Sequence, residues 1–105
     1  MMTSGEELMR IFRKFSELYP EEFQKVTALG AVGYTGFDIK TRELIISAIL
    51  ASQGYEAEFK VHFEGLIKNG LTKEELKSFL LLLLVYLGTP RFLEVLKWCE
   101  DLGAV

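Results

Sequence analysis

The run "FLLLLLVYL", residues 79 to 87, constrains this chain more than any other stretch. As a helix it is apolar on every side from Leu80 to Val85, and a helix with no polar face is a buried one. A second segment, "TRELIISAILASQ", has the same character from Leu44 to Ala51, interrupted only by Ser47. A chain of 105 residues is one domain, here residues 1–105, and cannot enclose two such helices unaided. A domain of this size buries only a little over ~60% of its unfolded surface. Half of the residues are apolar and 12% are aromatic, so the excess has to be covered between subunits. The expectation is therefore a homo-oligomer. A membrane does not offer the cover, because a helix needs about 20 apolar residues to cross one.

The remainder reads as helices separated by strong punctuation, about six in all, with no sheet. Thr3 and Ser4 each precede a Glu by three residues, as a capping box requires, and Leu8, Ile11, Phe12, Phe15 and Leu18 follow at helical spacing. Pro20 suits the first position of a second helix, which carries Phe23, Val26 and Leu29 and is expected to end near Gly30. "GAVGYTGFD" holds three glycines and reads as a loop, with Asp38 as the cap of helix three. Gly54 separates helices three and four; Gly70 ends helix four near Asn69. Thr72 and Glu75 form another capping box, Gly88 ends helix five, and Pro90 opens helix six.

The chemistry-bearing segment is "GYEAEFKVH", which contains the single histidine, His62. On a helical wheel with Phe59 at the origin, Phe63, Leu66 and Ile67 fall within about 80° and form the core stripe. Tyr55, His62 and Glu58 lie at about −40°, −60° and −100°, on one flank of that stripe. Glu58 and His62 are spaced i, i+4. The plain reading is an exposed pair worth about 0.3–0.5 kcal/mol. The functional reading needs a third group, and Glu43 is the candidate, because it precedes a helix that looks buried. Its plain role would be to complement the dipole in a first helical turn.

Other classes are excluded or disfavoured. The net charge is −3 and Lys and Arg are scattered, so no nucleic-acid partner is expected. The first ten residues hold no apolar signal core, and a cytoplasmic location is expected. One cysteine, Cys99, permits neither an internal disulfide, nor a CxxC pair, nor a multi-cysteine zinc site. It reads as a small buried hydrophobe.

Residues 40 to 91, from "KTRELI" through "GYEAEFKVH" and "NGLTKEEL" to "YLGTPR", resemble the carboxymuconolactone decarboxylase family in order and spacing. The resemblance implies an all-α, alkylhydroperoxidase-like fold with a central helical hairpin. It also implies trimers or hexamers with sites near subunit interfaces. The decarboxylase branch looks like this chain at Glu58 and His62. The redox branch has CxxC and a histidine; its cysteines would fall on Tyr55 and Glu58, so thiolate peroxidase chemistry is disfavoured. That branch also places a proton-relaying glutamate at Glu43.

The resemblance thus implies a catalytic set of His62, Glu58 and Glu43 acting on a small carboxylated lactone or related acid, without metal or organic cofactor. His62 is suited to proton delivery, with Glu58 or Glu43 orienting its ring. Arg42 or Arg91 would hold substrate carboxylates, and Tyr86 would donate to a developing oxyanion. Tyr55 would line the pocket or fill volume. The alternative is a helical oligomer that binds a small molecule or partner and does no chemistry.

Overall fold

The computed structural model describes residues 3–105. Six helices follow one another: α1 (Ser4–Leu18), α2 (Pro20–Tyr34), α3 (Ile39–Gln53), α4 (Glu56–Lys68), α5 (Lys73–Leu87) and α6 (Thr89–Asp101), with no strand among the described residues. Local chemistry sets most boundaries. Thr3 and Glu6 form a reciprocal capping box at α1, and Thr72 and Glu75 form another at α5. Pro20 occupies the first turn of α2, where its missing N–H costs nothing. The Asp38 carboxylate accepts the Thr41 N–H at 2.7 Å and opens α3.

α3 and α4 form the central hairpin. Gly54 closes α3 in the left-handed region, at φ 80°, and the chain reverses within two residues. The hairpin presents Glu43, Ser47 and Ala51, each one turn apart, on the buried side of α3. Phe59, Phe63 and Leu66 are buried on α4, as the wheel requires. Phe59 and Phe63 stack at 4.9 Å between ring centroids. Phe79 of α5 meets Phe63 edge-on at 5.5 Å, and Trp98 of α6 lies 5.4 Å from Phe59. Leu76, Leu80, Leu83, Val95 and the fully buried Cys99 complete this core. α1 lies against α4, and α2 packs on α1 through Phe12, Phe15 and Phe23.

One expectation is corrected. α2 does not end near Gly30; it runs through Gly30 and Gly33 to Tyr34. Each interior glycine costs about 1 kcal/mol against alanine, which weakens a helix without ending it. α3 and α5 are not enclosed within the chain, as expected of two such helices in 105 residues. Leu44, Ile45 and Ile49 on α3, and Leu81, Leu82 and Val85 on α5, are exposed, Val85 by 72%. Each helix backs onto the core with one side, and six helices leave nothing for the other. α2 contributes no buried residue at all. The radius of gyration, 14.7 Å, exceeds the roughly 13 Å expected for a compact chain of this length.

Candidate functional site

Glu43 sits at the start of α3 and His62 in the middle of α4. The hairpin brings them opposite each other, and His62 Nδ1 lies 2.7 Å from Glu43 Oε2. The Glu43 side chain is 11% exposed, whereas the imidazole side chain keeps 28% of its surface. A deeply set acceptor thus holds the inner nitrogen of a ring whose other side reaches solvent. Against an ionised carboxylate, which can only accept, Nδ1 is the donor of this contact and Nε2 is the nitrogen left for another partner.

Arg42 completes this end of the site. Its Nε lies 3.5 Å from Glu43 Oε1, and its guanidinium carbon lies 4.3 Å from the centre of the Tyr34 ring. Arg42 Nε and Ser47 Oγ are buried atoms without a hydrogen-bond partner. Both belong to α3 and flank Glu43, one residue before it and one turn after it. Buried polar atoms are ordinarily paired, so two orphaned groups on either side of Glu43 set this end of α3 apart.

The other expected residues lie apart. Glu58 is half-buried and forms no ion pair or hydrogen bond with His62; the long-range partner Glu43 takes the ring instead. The helical spacing that suggested a Glu58–His62 pair is therefore not used. Arg91 lies against the hairpin turn. A Cβ added at Gly54 would stand 2.9 Å from its guanidinium carbon, and Glu94 lies 3.8 Å from its Nη1. Along α4 that turn is about 12 Å from His62. Tyr55, at the same turn, is more than half exposed, and Tyr86 is 80% exposed on α5. Two surface clefts occur elsewhere, one between α1 and α4 and one between α3 and α5, and neither is lined by Glu43 or His62.

Tyr34 and Ser47 escape a reading of the sequence as site residues. Ser47 left a trace as the one hydroxyl in an apolar helix. Tyr34 left none, because its partner lies across a turn. The single cysteine is far from redox use. Cys99 is buried in the core, and burial pushes its thiol up to about 12.

Comparison with known proteins agrees with this architecture. The model of the carboxymuconolactone decarboxylase family matches residues 20–101. The chain belongs to that family. An uncharacterised protein of Methanocaldococcus jannaschii is 33% identical over 89 residues, covering 82% of this chain and 86% of its own length. The 4-carboxymuconolactone decarboxylase of Acinetobacter baylyi is 33% identical over 66 residues, 63% of this chain and 49% of that enzyme. The nitrosuccinic acid decarboxylase of Metarhizium robertsii is 34% identical over 61 residues, 58% of this chain and 43% of that enzyme. The matched region therefore spans about half the length of the two named decarboxylases. No solved structure matches the chain. The family assignment and the named relatives support a decarboxylase-like function at the family level. No helix among the described residues is long and apolar enough to cross a membrane.

Proposed function

We propose that this protein is a cytoplasmic, cofactor-independent lyase that decarboxylates a small carboxylated lactone or related acid, with His62 delivering the proton. The observation that carries the proposal is the 2.7 Å contact between His62 Nδ1 and the buried Glu43 carboxylate. A carboxylate fixed on one ring nitrogen orients the imidazole and leaves the other nitrogen to face the substrate and deliver the proton. In a carboxymuconolactone, the bond to the departing carboxylate breaks and CO2 leaves. Its electron pair passes into the vinylogous lactone carbonyl. The resulting dienolate takes a proton at carbon from His62, which is reprotonated from solvent. Arg42, beside the pair, holds a carboxylate of the bound acid. Both named decarboxylases in the family act on small acids, as their names state, which supports this substrate class.

In this reading Glu58, one helical turn before His62, remains a second acid–base group beside the pair, and Tyr55, Tyr86 and Arg91 serve as pocket walls completed by another subunit. The second reading is an oligomer that binds a small molecule without transforming it. Turnover separates the two. The test is decarboxylation of 4-carboxymuconolactone, without added cofactor, followed by ultraviolet absorbance. His62→Ala is expected to lose roughly 10²–10⁴-fold in rate while remaining folded. A folded His62→Ala variant as fast as the parent would remove His62 from the mechanism. Absence of turnover by the parent with this and related acids would favour the binding reading.

A further inference from the structure

The cations of this chain differ in how they are used. Lys40 pairs with Glu75, Lys60 with Glu56 and Asp101, and Lys97 with Asp101, each at 2.6–3.0 Å, so even the less exposed Lys60 has close carboxylate partners. Arg42 is different. Its side chain is only 21% exposed, and its one carboxylate neighbour, Glu43, is reached from Nε at 3.5 Å. Among the described residues no carboxylate other than Glu43's pairs with it. One face of the guanidinium is covered by the Tyr34 ring at 4.3 Å. A planar cation stacked on one face, with Glu43 near its Nε but not hydrogen-bonded to it, keeps its terminal edge for a ligand. That edge carries the parallel pair of N–H donors that matches a carboxylate.

We infer that Tyr34 is the positioning residue of a carboxylate-reading clamp. Its ring holds the Arg42 guanidinium so that Nη1 and Nη2 receive a carboxylate of the substrate beside the Glu43–His62 pair. The inference rests on the site reading above and deepens it. The charges select the ligand. Arg42 carries one positive charge and Glu43 one negative charge, with His62 supplying at most one more positive charge. A singly charged carboxylate fits this balance, whereas a phosphate dianion would stand against the Glu43 carboxylate. The fold gives the clamp a further property. Tyr34 closes α2, a helix with no buried residue, so the stack joins the α2 arm to the start of α3. Removing the ring frees the guanidinium to turn and adds its immobilisation to what the ligand must supply.

The test uses benzoate as the probe, a carboxylate with no lactone, and inorganic phosphate as the contrast. Binding to the full chain is read from the Arg42 Nε–Hε and His62 imidazole resonances by NMR. The expected result is saturable benzoate binding to the parent, with phosphate weaker by at least about tenfold. Tyr34→Leu weakens benzoate by about tenfold, and Tyr34→Phe, which keeps the ring, recovers most of that loss. Arg42→Lys keeps the charge but removes the fork, and is expected to lose at least as much. If a lactone is turned over, Tyr34→Leu raises KM by a similar factor with a much smaller change in kcat. Benzoate binding by Tyr34→Leu or Arg42→Lys as tight as the parent's would overturn the clamp, and so would tighter binding of phosphate. Because binding is read without turnover, the outcomes separate. Ring-dependent benzoate binding with no decarboxylation retains the clamp and removes the lyase. Decarboxylation with ring-independent binding does the reverse.

Discussion

The Glu43–His62 contact shows how little of a site is written in local spacing. Glu58 stands one helical turn before His62, where periodicity alone would pair them, yet the ring turns to a carboxylate nineteen residues away. A helical wheel carries information about one helix, and the partner comes from the facing one. Glu43 was legible because it precedes a helix that looks buried, and family resemblance marked the same position. Tyr34, hidden in a glycine-rich stretch, was not reachable at all. Two single residues have direct tests. Ser47 Oγ is fully buried with no partner, and a buried hydroxyl of that kind costs about 1–3 kcal/mol. Ser47→Ala is therefore expected to leave the melting temperature unchanged or raise it; a loss above about 1 kcal/mol would show that the hydroxyl has a partner in solution. Cys99 is the second case. Its thiol is held neutral up to about 12 by burial, against an ordinary value of 9.0. The native protein is expected to resist alkylation by iodoacetamide at pH 8 and to react at once in denaturant, as followed by mass. The folded state binds the proton more tightly, so its contribution is complete below 9.0 and is lost as pH rises towards about 12.

At the scale of elements, the sequence was most legible where the physics is local. Capping boxes, the Pro20 start and the Asp38 cap all involve groups within one helical turn, so residue identity suffices. The end of α2 was not legible, because Gly30 and Gly33 are permitted, if costly, inside a helix, and nothing local forces a stop before Tyr34. The link between α3 and α5 is a further non-local feature. Lys40 Nζ reaches Glu75 Oε1 at 2.7 Å, and that same oxygen accepts the Thr72 N–H at 2.9 Å. Lys40 first, and the Thr72 backbone next, hold the Glu75 carboxyl down to about 2 from 4.5. A lowered value means that the folded state favours the charged form. Its contribution is present above 4.5 and fades as pH falls towards about 2. The melting temperature is expected to drop across that interval, and Glu75→Gln should flatten the acid limb. An equal drop in the variant would assign the acid loss to other carboxylates. Gly54 gives a sharper test. At φ 80° it accepts no Cβ without strain, and the Arg91 guanidinium occupies the space a Cβ would need. Gly54→Ala is expected to lose more than about 1 kcal/mol in urea unfolding, from the left-handed conformation alone. A neutral result would mean that both the turn and Arg91 relax freely.

At the scale of the molecule, the apolar faces are what one chain leaves unfinished. The segments that looked apolar on every side in the sequence are apolar on every side in the fold, and only half of each is covered. Leu44, Ile45 and Ile49 on α3, together with Leu81, Leu82 and Val85 on α5, remain exposed. So does α2, with Val26, Leu29 and Val32. Scattered exposed leucines are ordinary, but continuous faces on three helices are the mark of an interface. Within one chain these faces stay uncovered, and the expectation that a second copy covers them is put to the test by the mass in solution. The expected outcome is a closed homo-oligomer, a trimer or hexamer, whose solution mass is a multiple of the 12.0 kDa chain, as measured by sedimentation equilibrium. Val85 is 72% exposed in the single chain, so Val85→Glu leaves the monomer core untouched and places a charge in the apolar face. That variant should shift the mass towards 12.0 kDa while retaining its helical circular dichroism. If Tyr86 and Arg91 act across subunits, dissociation should also abolish turnover although Glu43 and His62 are unchanged. A parent that sediments at 12.0 kDa across the micromolar range would leave these faces to a partner other than a second copy.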